Sequence, residues 1–164
     1  MKKIIYLIPS LILIVILSEC AGYKPIFGSS NLNFIISDYS IEGEKSLGNQ
    51  FYNKIKKLSL AGKDNQDAKS LFFYINSTKD KTATVKDSKG KITEYKITLK
   101  TIIKVNDDLT NKILLDNTFT SSVSYKIQSS YSDTIDSENK STDNLINKTY
   151  QDLLIQLSKS IVQQ

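Results

Sequence analysis

From Glu94 to Val105 the side chains alternate in character. Tyr95, Ile97, Leu99, Thr101, Ile103 and Val105 interleave with Glu94, Lys96, Thr98, Lys100, Ile102 and Lys104. Successive residues of a strand point to opposite faces, so this segment predicts a strand with one dry and one wet face. A sheet of that kind must bury its dry side under another layer. The rest of the chain is therefore constrained to supply more strands and a cover.

Both are present. Leu32 to Ile41, closed by Gly43, is β-branched and aromatic, and predicts a first strand. Between Glu44 and Ala61 the period changes. Leu47, Phe51, Ile55 and Leu58 share one helical face, Lys54, Lys56 and Lys57 lie mostly off it, and Gly62 marks a stop. Ser70 to Val85 predicts a second strand, with Leu71, Phe73 and Ile75 on one face. Asp87-Ser88-Lys89-Gly90 is a turn before the alternating strand, and Asn106 to Asn111 is another after it. A last strand carries Leu115, Phe119, Val123, Tyr125 and Ile127 inward and Thr118, Thr120, Ser122 and Ser124 outward. A polar stretch from Gln128 to Ser141 precedes a helix marked by Ile146, Tyr150, Leu153, Leu154, Leu157 and Ile161, with Ser141 or Thr142 as its expected cap. The expected fold is α+β: a two-layer sandwich of order βαβββα, a four-stranded, mostly antiparallel sheet with two helices on one face. The aromatic stripe Phe51, Phe73, Tyr95, Phe119 and Tyr150 falls on core positions.

The start of the chain obeys other rules. Lys2 and Lys3 precede an apolar run from Ile4 to Leu17. The run is shorter than the roughly 20 residues that span a bilayer core, so it reads as a signal-peptide segment. It ends in Leu17-Ser18-Glu19-Cys20, which resembles the bacterial lipobox, with Glu19 standing where a small residue is usual. In that reading the Cys20 thiol takes a diacylglyceryl group, cleavage follows before Cys20, and the new amine is acylated. The alternative is an ordinary secretory signal, or an uncleaved anchor, with an incidental cysteine. Ala21 rather than Asp follows Cys20, which by analogy with enteric sorting favours the outer membrane. The domain division is 1–19 signal peptide, 20–30 lipidated tether and 31–164 α+β domain.

Composition narrows the chemistry. All 22 basic residues are lysine, the formal charge is +5, and there is no histidine and no second cysteine. A histidine-based triad, an imidazole metal site, a thiolate zinc cluster and an intrachain disulfide are thereby excluded. The six glycines form no phosphate-binding fingerprint. The chain is expected not to be an enzyme and to need no cofactor. Its lysines are dispersed and export separates it from nucleic acid, so no nucleic-acid partner is expected.

The segment Cys20-Ala21-Gly22-Tyr23-Lys24-Pro25-Ile26-Phe27-Gly28 resembles the mature start of the LptE family of lipopolysaccharide-assembly lipoproteins, particularly its alphaproteobacterial members. Ala21 is an insertion relative to that pattern. The order of elements is similar over the whole mature chain. The resemblance implies an outer-membrane lipoprotein, anchored in the membrane through its lipid. It would plug the lumen of an LptD-type β-barrel, assist its assembly and bind lipopolysaccharide. Lys96, Lys100 and Lys104 line the wet face of one strand, and are either a ladder for lipid phosphates or ordinary solvated lysines. Tyr23, Pro25 and Phe27 are either a docking segment or a tether. The alternative function is a periplasm-facing auxiliary subunit of an ABC-type lipid transport system.

Overall fold

The computed structural model describes residues 32–61 and 68–162. The elements are β1 (Phe34–Gly43), α1 (Lys45–Ala61), β2 (Lys69–Lys86), β3 (Ile92–Asp107), β4 (Ile113–Lys126) and α2 (Tyr131–Val162). The four strands form one sheet in the order β1-β2-β3-β4. β1 and β2 are parallel because α1 returns the chain to the starting end between them. The pairs β2–β3 and β3–β4 are antiparallel. The order βαβββα and the α+β class agree with the sequence expectation.

The alternation in β3 sets the register of everything else. Ile97, Leu99, Ile103 and Val105 are completely buried, as are Leu71, Phe73 and Ile75 on the same face of β2, where Phe73 pairs with Val105 and Ile75 with Ile103. Phe51 and Ile55 of α1 and Ile146, Leu153 and Leu157 of α2 fill the space above that face. Each such side chain contributes about 1.5–3 kcal/mol by leaving water. Two pairs of hydroxyls enter this core and satisfy one another: Ser77 with Thr101 at 3.4 Å, and Ser121 with Thr149 at 3.3 Å. Of the aromatic stripe, Phe51 and Phe73 are fully buried, and Tyr95, Phe119 and Tyr150 pack partly buried against the core.

The turns follow from local chemistry. Asp87 Oδ1 accepts from the amides of Lys89 and Lys91, both at 2.9 Å, and Gly90 takes a positive φ of 80°. Asp107 Oδ1 does the same for Leu109 and Thr110, at 3.0 Å each, and Asn111 sits at φ 55°. Both are aspartate-nucleated turns with a left-handed residue near the end.

One boundary differs from expectation. The C-terminal helix begins at Tyr131, not near Ser141 or Thr142. Ser130 caps it: its Oγ accepts from the amide of Asp133 at 3.1 Å, and Asp133 also puts an acid in the first turn. At 32 residues the helix is about 48 Å long. The 14 residues of β4 extend about 46 Å, so the helix matches the full length of β4.

The sheet thus has two distinct ends. At the end where the chain enters, Lys69 N–H donates to Asn33 C=O at 3.2 Å, and Asp108 N–H donates to Ser70 C=O at 2.9 Å. Strand starts and the β3–β4 turn meet there. The β2–β3 turn and the start of α2 lie at the far end.

Candidate functional site

Among the described residues, the helices cover one face of the sheet and nothing covers the other. On that open face β4 presents Asp116, Thr118, Thr120, Ser122 and Ser124, all exposed. Thr78 and Thr82 of β2 are likewise exposed, and Thr98 of β3 is half-buried. Lys96 stands between Thr82 and Ser124, Lys100 between Thr78 and Thr120, and Lys104 between Tyr74 and Asp116. All three lysines are exposed on one face, as the alternation requires. Lys104 is already paired, with its Nζ 3.1 Å from Asp116 Oδ2. Consecutive ladder lysines are four residues apart, about 13 Å along a strand, so they form a spaced row and not a tight cluster. Each offers a phosphate a point charge, without the bidentate fork of a guanidinium.

A second polar constellation, not anticipated from the sequence, lies on the helix-covered face towards the far end. Lys79 and Lys81 occupy inward positions of β2, in line with Leu71, Phe73 and Ile75. Their partner comes from the early half of α2. Glu138 Oε2 accepts from Lys81 Nζ at 2.5 Å and from the Tyr125 hydroxyl at 2.8 Å, and its Oε1 lies 3.5 Å from Lys79 Nζ. Lys81 also lies over the rings of Tyr95 and Tyr125, at 4.5 and 5.6 Å from their centroids. Polar residues here do the packing that leucines do further along. The hydrogen bond from Lys81 holds the Glu138 carboxyl below the usual carboxylate range. The same bond holds Lys81 above the usual lysine value. Burial pushes the Tyr125 phenol up.

These directions fix a pH window. A depressed carboxyl stabilises the fold above its unfolded pKa, and that contribution is lost as pH falls through the folded value. A raised lysine or tyrosine stabilises it below the unfolded pKa, and that is lost as pH rises. Stability should form a plateau between about pH 5 and pH 9. Glu138→Gln should lower that plateau by about 1–2 kcal/mol and flatten its acid limb. Chemical denaturation across pH checks this; an unchanged acid limb would show that Glu138 does not carry it.

Of the residues singled out in the sequence, Lys96, Lys100 and Lys104 are brought into line. Cys20, Tyr23, Pro25 and Phe27 lie outside the described residues, as does the Gly62 stop. Among the described residues no helix is long and apolar enough to cross a membrane.

No family model and no curated protein matches the sequence. Solved structures do match its shape. A Caulobacter crescentus protein designated a lipoprotein is 10% identical, with a TM-score of 0.57 over 83% of this chain and 96% of that one. Lipoprotein B of Nitrosomonas europaea is 15% identical, with a TM-score of 0.56 over 84% and 90%. A minor lipoprotein of Acinetobacter baumannii is 20% identical, with a TM-score of 0.51 over 77% and 93%. The chain has the fold shared by these bacterial lipoproteins.

Proposed function

We propose that the protein is an outer-membrane lipoprotein, held through an acylated Cys20, that sits in the lumen of an LptD-type β-barrel and assists lipopolysaccharide assembly. The observation that carries this reading is the asymmetry of the sheet. One face is dry and filled, and the other, uncovered by any described residue, is set over most of its length with hydroxyls and lysines. A plug in a water-filled lumen needs a core complete in itself and an exterior that makes many modest polar contacts. A lipid carrier would need an apolar cavity under the sheet. That space is taken by Phe34, Phe51, Phe73, Leu99 and Leu153, all fully buried. The lipoprotein designation of structures with the same fold, and the Cys20–Gly28 segment, support the same reading. The domain is non-catalytic in this account. Lys96 and Lys100 would meet anionic lipid phosphates as point charges.

Depletion of the protein should reduce the amount of correctly assembled barrel and sensitise cells to large hydrophobic antibiotics. Immunoblotting of folded barrel in depleted cells reads this out. A normal yield of folded barrel would count directly against the assembly role.

A further inference from the structure

The open face is not polar throughout. Where the chain enters the sheet, its rim changes character. Ile35 of β1 pairs in register with Ser70, Phe72 of β2 with Asn106, and Asn106 with Ile113 of β4. Phe72 and Ile113 therefore share one row of the open face, with Asp38 as the β1 partner of Phe72, and Ile35 stands on the same face two residues nearer the rim, level with Ser70. Leu109 projects from the β3–β4 turn just beyond them. Leu109 is 83% exposed, Ile113 63% and Ile35 37%. Leu109 is no accident of a loose loop: Asp107 Oδ1 fixes the turn through the amides of Leu109 and Thr110, and Asp108 is bonded to Ser70. Both polar stitches hold an apolar side chain outward.

This rim adjoins the point where the anchor arrives. Asn33 is hydrogen-bonded to Lys69, and the neighbouring Ser70 to Asp108, so the entry of the chain and the Leu109 turn lie two strand spacings apart. Eleven residues lie between Cys20 and Leu32, a reach of about 40 Å over twelve residue steps at full extension. We infer that the rim formed by Ile35, Phe72, Leu109 and Ile113 is a membrane-contacting surface, which inserts shallowly into the headgroup region of the bilayer carrying the Cys20 lipid. The inference rests on the lipid-anchor part of the proposed function. It fixes the orientation of the domain: the Leu109 turn at the bilayer, the β2–β3 turn and Val85 away from it. The charges around the rim carry no positive excess, with Asp38, Asp107, Asp108 and Asp116 beside Lys69, Lys104 and Lys112. Attraction to anionic lipid is therefore not the driving force. Contact comes from apolar area and is insensitive to salt.

The chain has no tryptophan, so a single one reports cleanly. Full-length lipidated protein carrying Leu109→Trp or Val85→Trp is purified in detergent and reconstituted on phosphatidylcholine vesicles, with and without brominated acyl chains. The Leu109→Trp emission should be blue-shifted and quenched at least about twofold by the brominated lipid, since interfacial insertion reaches about 5–10 Å into the acyl boundary. Val85→Trp should be unquenched, and the Leu109→Trp quenching should be unchanged between about 0.1 and 0.5 M salt. Equal quenching at the two positions in vesicles that carry the protein overturns the inference, because the tether alone would then set the position. A blue shift at Leu109→Trp without quenching also overturns it, in favour of a protein partner or a second copy. Failure of the wild type to float with vesicles, or flotation undiminished in Cys20→Ser, would instead remove the anchor reading on which the inference stands.

Discussion

Leu99→Ala is expected to lower the unfolding free energy by about 2–5 kcal/mol, whereas Lys100→Ala beside it should change it by no more than about 0.5 kcal/mol. Leu99 is completely buried at the middle of β3, in the layer between the sheet and the helices. Removing its isobutyl group deletes apolar surface and leaves a void. Its neighbours cannot close that void, because both flanking strands are pinned in register: Lys79 opposite on β2 is held by Glu138, and Ser121 on β4 by Thr149. Lys100 points the other way, into solvent between Thr78 and Thr120. Urea denaturation of both variants measures the contrast. Comparable losses would mean that the two faces of β3 are not distinct.

Gly43→Ala is the second substitution expected to hurt, by about 2–4 kcal/mol. Gly43 ends β1 with φ +72°, in the left-handed region that costs a residue bearing a Cβ about 1–2 kcal/mol. Space is the larger difficulty. A Cβ there would collide with the backbone carbonyl oxygen of Ser77 and lie 2.7 Å from Asn76 Oδ1. That carbonyl also accepts from Glu44 N–H at 2.7 Å, the bond that ties the entry of α1 to β2. Relief of the clash would therefore loosen the crossover. Gly90→Ala supplies the control: it has a similar φ of +80° but nothing within 4 Å of the added methyl. Thermal unfolding should place Gly43→Ala well below Gly90→Ala. If the two coincide, close approach at Gly43 is not what matters.

The sheet and α1 were legible in the sequence because apolar residues carry their faces. In β3 the period of two is almost unbroken, and Leu47, Phe51 and Ile55 mark α1 at helical spacing. The early half of α2 was not legible, for a physical reason. Between Tyr131 and Ser141 only Ile135 is aliphatic, and the inward position at Glu138 is a carboxylate. Periodicity of hydrophobicity is blind to a face that packs through ion pairs and hydroxyls. Two signals were nevertheless available. Ser130 followed three residues later by Asp133 has the spacing of a helix start. Lys79 and Lys81 continue the inward parity of Leu71, Phe73 and Ile75, and two inward lysines call for an acid from the covering layer. The lysine ladder on the open face was legible as geometry, since alternation alone aligns Lys96, Lys100 and Lys104. The ion pair of Lys104 with Asp116 was not, because it depends on the β3–β4 register.

Co-purification reads out the partnership with a barrel. The protein, tagged at its C-terminus, is extracted in mild detergent from native outer membranes and its companions are identified. A stoichiometric complex with a large LptD-type β-barrel is expected. It should resist moderate salt, because a large, wet interface of many small contacts does not depend on a few charges. The triple variant Lys96→Ala, Lys100→Ala and Lys104→Ala should leave that complex intact. Elution of the tagged protein alone, or with an inner-membrane ABC-type transport system, would rule out the barrel as its partner.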